Sequence, residues 1–192
     1  AVHQDVSEAL NGPAYYLGWN ESYVEAAYRN NPVPTTGGNQ WWWYTDTYRA
    51  LLQADPADTR AALTCRTADY GTGGRRIGWT EKLMGRVDNG TRIFDSDFIL
   101  YRYGEAFLMA AEARYYGKDY AGALEALAPL AARAYGRKDY YTDTSPEAVL
   151  QAIVDEYLRE MVGEGRTWWM LLRTDKIWEY SADIAAQRDK NP

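Results

Sequence analysis

The residues best suited to chemistry lie in two clusters. The first runs from Glu156 to Arg173 and holds the carboxylates Glu156, Glu160 and Glu164 beside Arg159, Arg166 and Arg173. Two carboxylates facing each other across a cleft can act as acid and base on a glycosidic bond. Arginines at this density favour another outcome, because a guanidinium grips a carboxylate through two parallel hydrogen bonds and keeps it ionised. A helical charge ladder that braces the fold is therefore the expected reading. The second cluster is Trp41-Trp42-Trp43-Tyr44. Four consecutive aromatics cannot all face one way on a helix or strand, so part of the run is expected to contact a ligand or another layer. An indole stacks well on the C–H face of a sugar. Trp41, Trp42 and Trp43 are the candidate ligand platform, joined by Trp79; the alternative is a helix start stapled to the core.

Other reactive groups are isolated. Cys65 is the only cysteine and His3 the only histidine, so neither an internal disulfide nor a metal site is expected. Tyr70-Gly-Thr-Gly-Gly74 is rich in glycine but lacks the Gly-Lys-Ser/Thr ending of a phosphate loop. No cofactor is implied.

These residues need elements to hold them. Leu100, Tyr103, Phe107, Ala110 and Ala111 recur at helical spacing, which predicts a helix within 97–116 with those residues sharing one face. Gly117 breaks it, and a second helix runs from near Asp119 to a left-handed cap at Gly136. The result is a helical hairpin whose small residues Ala110, Ala111, Gly117 and Ala123 suit a tetratricopeptide-like unit. Such a unit cannot bury its apolar face alone. Ser145 is expected to cap a third helix, with Pro146 at its first position. That helix brings Ile153, Tyr157, Glu160, Met161 and Glu164 towards one face, and Gly163 and Gly165 end it before Trp168-Trp169.

Two stretches together resemble a known family. Asp97-Phe-Ile-Leu-Tyr-Arg102-Tyr-Gly-Glu105-Ala-Phe-Leu-Met-Ala-Ala-Glu112-Ala113 is similar to the D-x-x-x-x-R-Y-x-E-x-x-L-x-x-A-E-A signature of SusD/RagB proteins. Glu156-x-x-x-Glu160-Met-x-x-Glu164-Gly165, then Trp168-Trp169, Leu171 and Arg173, is similar to that family's closing E-R-x-x-E-L-x-x-E-G-x-R-W-x-D-L-x-R. Tyr157, Thr167 and Met170 depart from it, standing where the family has arginine, arginine and aspartate. The resemblance implies a mainly α, SusD-like fold with a tetratricopeptide-like hairpin, an irregular loop-rich N-terminal part and little β structure. It implies one domain over 1–192, with a loop-rich ligand-side segment at 1–96 and a helical core at 97–180, corresponding to the C-terminal portion of a longer protein.

The resemblance also implies a function: non-catalytic capture of glycan at the external face of a Bacteroidetes outer membrane. The captured ligand is handed to a SusC-like TonB-dependent transporter, and a lipid anchor sits on the N-terminal portion. The alternatives are a peptide-binding RagB-like module and a scaffold for protein partners. Arg102, Glu105, Glu112, Glu160, Glu164 and Arg173 match the motif and are expected to brace helices; ligand residues vary within the family and none carries over.

Bulk composition agrees with a binding role. Aromatics reach 15%, as 17 Tyr and 8 Trp against 3 Phe; rings with a polar handle suit wet interfaces and carbohydrate-like ligands, the alternative being that they build a large helical core. The net charge of −6 argues against a nucleic-acid partner. No apolar run approaches the roughly 20 residues needed to cross a bilayer. Elsewhere, 30–40 reads as a loop, Thr45–Leu52 as a helix, and Asp88-Asn89-Gly90-Thr91 as a tight turn.

Overall fold

A computed structural model describes residues 25–28, 44–71, 75–82, 85–89, 91–93, 95–97 and 99–181. The chain divides into two compact units, Ala1–Leu100 and Tyr101–Pro192. The described structure is mainly helical.

In the first unit a 3-10 turn covers Ala26–Tyr28. Helix α1 (Asp46–Leu52) begins where the Thr45 side chain accepts the Tyr48 N–H. After the short α2 (Ala61–Thr64), strands β1 (Arg66–Gly71) and β2 (Arg75–Trp79) pair antiparallel, with Arg66 opposite Trp79 and a register shift between Asp69 and Gly71. A second hairpin joins β3 (Arg86–Asp88) to β4 (Thr91–Ile93). Its turn is the one read from sequence, with Asn89 in the left-handed region at φ 48°. Among the described residues of the unit, Tyr44, Leu52, Cys65 and Trp79 are buried apolar side chains, and the Tyr44 hydroxyl donates to the Thr64 carbonyl at 2.8 Å.

The second unit is helical. Helix α3 (Tyr103–Tyr116) and α4 (Tyr120–Tyr135) form the expected hairpin. Asp119 caps α4 by accepting the Gly122 N–H, and Gly136 closes it at φ 73°. Helix α5 (Pro146–Glu160) packs on both, α6 (Thr167–Arg173) packs on α5, and α7 (Ile177–Tyr180) on α6. The core between them is Leu108 and Ala111, Leu127 and Leu130, Val149, Ile153 and Tyr157, closed by Met161 and Met170.

Two local expectations change. Helix α3 starts at Tyr103, because Arg102 is held in extended backbone (φ −142°, ψ 161°) with its guanidinium engaged by α5. Its buried face is Glu105, Leu108, Ala111 and Glu112, whereas Leu100 precedes the helix and is exposed, and Tyr103 is 79% exposed. The carboxylates are tolerated inside because arginines meet them. Ser145 stands at the N-cap position of α5 but its side chain does not cap the helix. Its N–H donates instead to Asp143 Oδ1 at 2.8 Å.

Candidate functional site

Five arginines organise the second unit around acids. Arg102 donates through Nε and Nη2 to both oxygens of Glu164, at 2.8 and 2.9 Å, and through Nη1 to Glu160. Its Nη2 also reaches the Glu160 carbonyl at 2.6 Å. Arg133 of α4 takes the other oxygen of Glu160. This brace joins the start of α3 to α4, the end of α5 and the following turn. Gly163 and Gly165, both near φ 72°, allow that turn to fold back and present Glu164. Gly104 is equally specific: a Cβ there would stand 2.8 Å from Glu160 Oε1 and closer still to Arg102.

Burial opposes ionisation of Glu160, but the hydrogen bonds and charges of Arg102 and Arg133 outweigh it and hold its pKa down to about 2. A carboxyl so held does not donate protons near neutrality, which removes Glu160 as a general acid. Glu156 is fully buried and accepts from Tyr135 and Tyr141, the latter at 2.8 Å, with Arg159 at 3.8 Å. Burial, then the Glu156 charge, pushes the Tyr141 hydroxyl's pKa up.

The remaining two pairs border a groove. Arg173 grips Glu112 through Nε and Nη2 at 2.7 and 2.9 Å, and Arg166 Nε lies 3.3 Å from Glu105 Oε1. The groove has a volume of about 460 Å³, and Tyr101, Met109 and Tyr116 wall it from α3 and its approach. Tyr157 lies within it, and Trp169 of α6 stands opposite, 60% exposed. Arg166 covers the Tyr101 ring at 5.2 Å, and the Tyr116 hydroxyl donates to the Arg173 carbonyl at 2.8 Å. Two polar atoms on this surface, Glu105 Oε2 and the Tyr157 hydroxyl, are buried with no hydrogen-bond partner among the described residues.

The structure therefore brings Arg102, Glu160 and Glu164 into one cluster and Arg173 and Glu112 into another, with Glu105 beside the second. Trp41, Trp42 and Trp43 lie outside the described residues. Trp79 is corrected. It is 2% exposed in the first unit's core, with the Arg66 guanidinium 6.0 Å from its ring centroid, and has no face to offer a ligand. The groove was missed. Its signal was the spacing of Glu105, Met109, Glu112 and Tyr116, one helical stripe that mixes rings with acids and so hides from any search for apolar periodicity, with Tyr101 just ahead of the helix. No group of three or more metal-ligating side chains occurs among the described residues, and no helix among them is long and apolar enough to cross a membrane.

Comparison with known proteins gives three findings. No curated protein matches the chain. Among solved structures, a SusD superfamily protein of Bacteroides fragilis NCTC 9343 is 26% identical with a TM-score of 0.65, over 86% of this chain and 37% of that one. Bacteroides fragilis NanU shares the fold at 23% identity and a TM-score of 0.57, over 84% of this chain and 38% of that one. The chain thus spans less than two fifths of the length of either structure it matches. The model of the SusD family matches residues 78–191, more than half of the sequence and all of the helical unit up to its last residue. On that match, the chain belongs to the SusD family.

Proposed function

We propose that the chain serves a non-catalytic protein of the outer cell surface that binds glycan and passes it to a SusC-like TonB-dependent transporter. Membership of the SusD family is the observation that carries this reading. The arrangement of acids supports it: Glu160 and Glu164 share Arg102, and Glu112 is held by Arg173, so these carboxylates serve as counter-charges for arginine. Acid–base hydrolysis of a glycosidic bond needs a carboxyl that still carries its proton near neutrality, and Glu160 is driven the other way. Trp41, Trp42 and Trp43 form the proposed capture platform, and attachment to the membrane is through a lipid.

Titration with a panel of polysaccharides and peptide mixtures, followed by tryptophan fluorescence in the wild type and in Trp42→Ala, tests the proposal. A saturable response to one glycan, lost in the variant, is expected. A response to peptides alone, or turnover of any glycan, would overturn it.

A further inference from the structure

We propose that the groove between α3 and α6 is a second glycan subsite, one that takes the neutral, hydroxyl-bearing end of an oligosaccharide. The proposal rests on the glycan reading above and adds a place and a chemistry to it. Four observations converge. First, the groove's 460 Å³ falls in the range of about 300–1,000 Å³ common for small-molecule pockets. Second, its charges are already matched. Glu105 and Glu112 face Arg166 and Arg173, so neither a free anion nor a free cation gains an unpaired counter-ion there.

Third, two buried polar atoms remain unmatched. The Glu105 side chain is 10% exposed, and its Oε2 lacks a donor. The Tyr157 hydroxyl, which can both donate and accept, lies beside Glu112 and Arg173 but makes no hydrogen bond of good geometry with either. A buried group left in this state costs about 1–3 kcal/mol, a cost that a ligand supplying the missing bond removes. Neighbouring sugar hydroxyls meet this pattern, since each can donate to the carboxylate or exchange a bond with the phenol. An aliphatic ligand leaves both atoms as they are. Fourth, Trp169 supplies the wall that such a ligand needs. Its indole is largely exposed at the groove, where the C–H face of a pyranose can stack.

The order of the atoms gives the pose its direction. Glu105 and Tyr157 sit in the buried part and receive hydroxyls; Trp169 stands at the exposed side and receives a ring face. The groove therefore reads a chain end.

Iodide quenching of the unliganded protein is measured first, comparing wild type with Trp169→Phe. A quenchable component that disappears in the variant is expected, and an unquenched Trp169 would overturn the proposal by showing the groove already covered. Calorimetric titration with the oligosaccharide that the panel selects then follows, on wild type, Trp169→Ala, Glu105→Gln and Trp42→Ala. Two binding events are expected. Trp169→Ala should remove one, and Glu105→Gln should weaken the same one about ten-fold, while the second persists. Trp42→Ala should show the opposite pattern. Unchanged stoichiometry in Trp169→Ala overturns the subsite and leaves glycan capture standing. Absence of binding by every glycan overturns both, and binding of a peptide at Trp169 overturns the ligand class.

Discussion

Arg102→Met tests the main brace, because methionine keeps much of the apolar stem and removes the charge. Two acids then lose their grip. The Glu160 side chain is 2% exposed and the Glu164 side chain 6% exposed, so water replaces little of what is lost. Removing one partner from a buried ion pair costs about 3–5 kcal/mol. Titration gives a second route to the magnitude. The fall of the Glu160 pKa from 4.5 to about 2 corresponds to about 3 kcal/mol of native stability, shared between Arg102 and Arg133. A loss of about 3 kcal/mol at neutral pH is therefore expected in urea unfolding followed by far-UV circular dichroism. The sign of the pH dependence follows. A carboxyl with a depressed native pKa stabilises fully above its unfolded value of 4.5, and that contribution is lost as pH falls through about 2. The gap between wild type and variant must narrow over that window. A loss under about 1 kcal/mol, or a gap that stays constant as the pH falls, would refute the assignment of Arg102 as the brace.

Gly104→Ala should lower stability by about 1–3 kcal/mol in the same assay, although alanine is the better helix former, because its Cβ would intrude between Arg102 and Glu160. Tyr141→Phe removes a hydroxyl that serves the fully buried Glu156, and should cost about 1.5–3 kcal/mol by thermal unfolding. Trp79→Ala should cost about 3–5 kcal/mol. The milder Trp79→Phe should leave glycan affinity unchanged by calorimetry, as suits a core residue.

Sequence was most informative where a single residue dictates local geometry. Asp119 and Gly136 mark both ends of α4 because a side-chain acceptor and a left-handed backbone each admit few residue types. Asn89 did the same for the β3–β4 turn. The partners of Arg102 and Arg173 were foreshadowed only as a motif; the pairing itself spans sixty residues and needed the fold to bring it together. Periodicity failed on α3, since it assigns glutamate to water, and here two glutamates lie inside because Arg166 and Arg173 meet them. Trp79 misled for the complementary reason, as residue type alone does not say which side of a strand is covered. The groove escaped both kinds of reading, being made of rings and ions interleaved on one stripe.

The far-apart pairing of these charges bears on how the unit assembles. Arg102 reaches Glu164 across 62 positions, and Arg173 reaches Glu112 across 61. As the chain emerges in order, the α3–α4 hairpin exists before the arginines that neutralise its inward acids. Those acids can keep water as their partner until the later helices cover them, so the closed unit forms only once Arg166 and Arg173 have been made. The helices are thereby obliged to settle together, in one late and cooperative step governed by long-range closure.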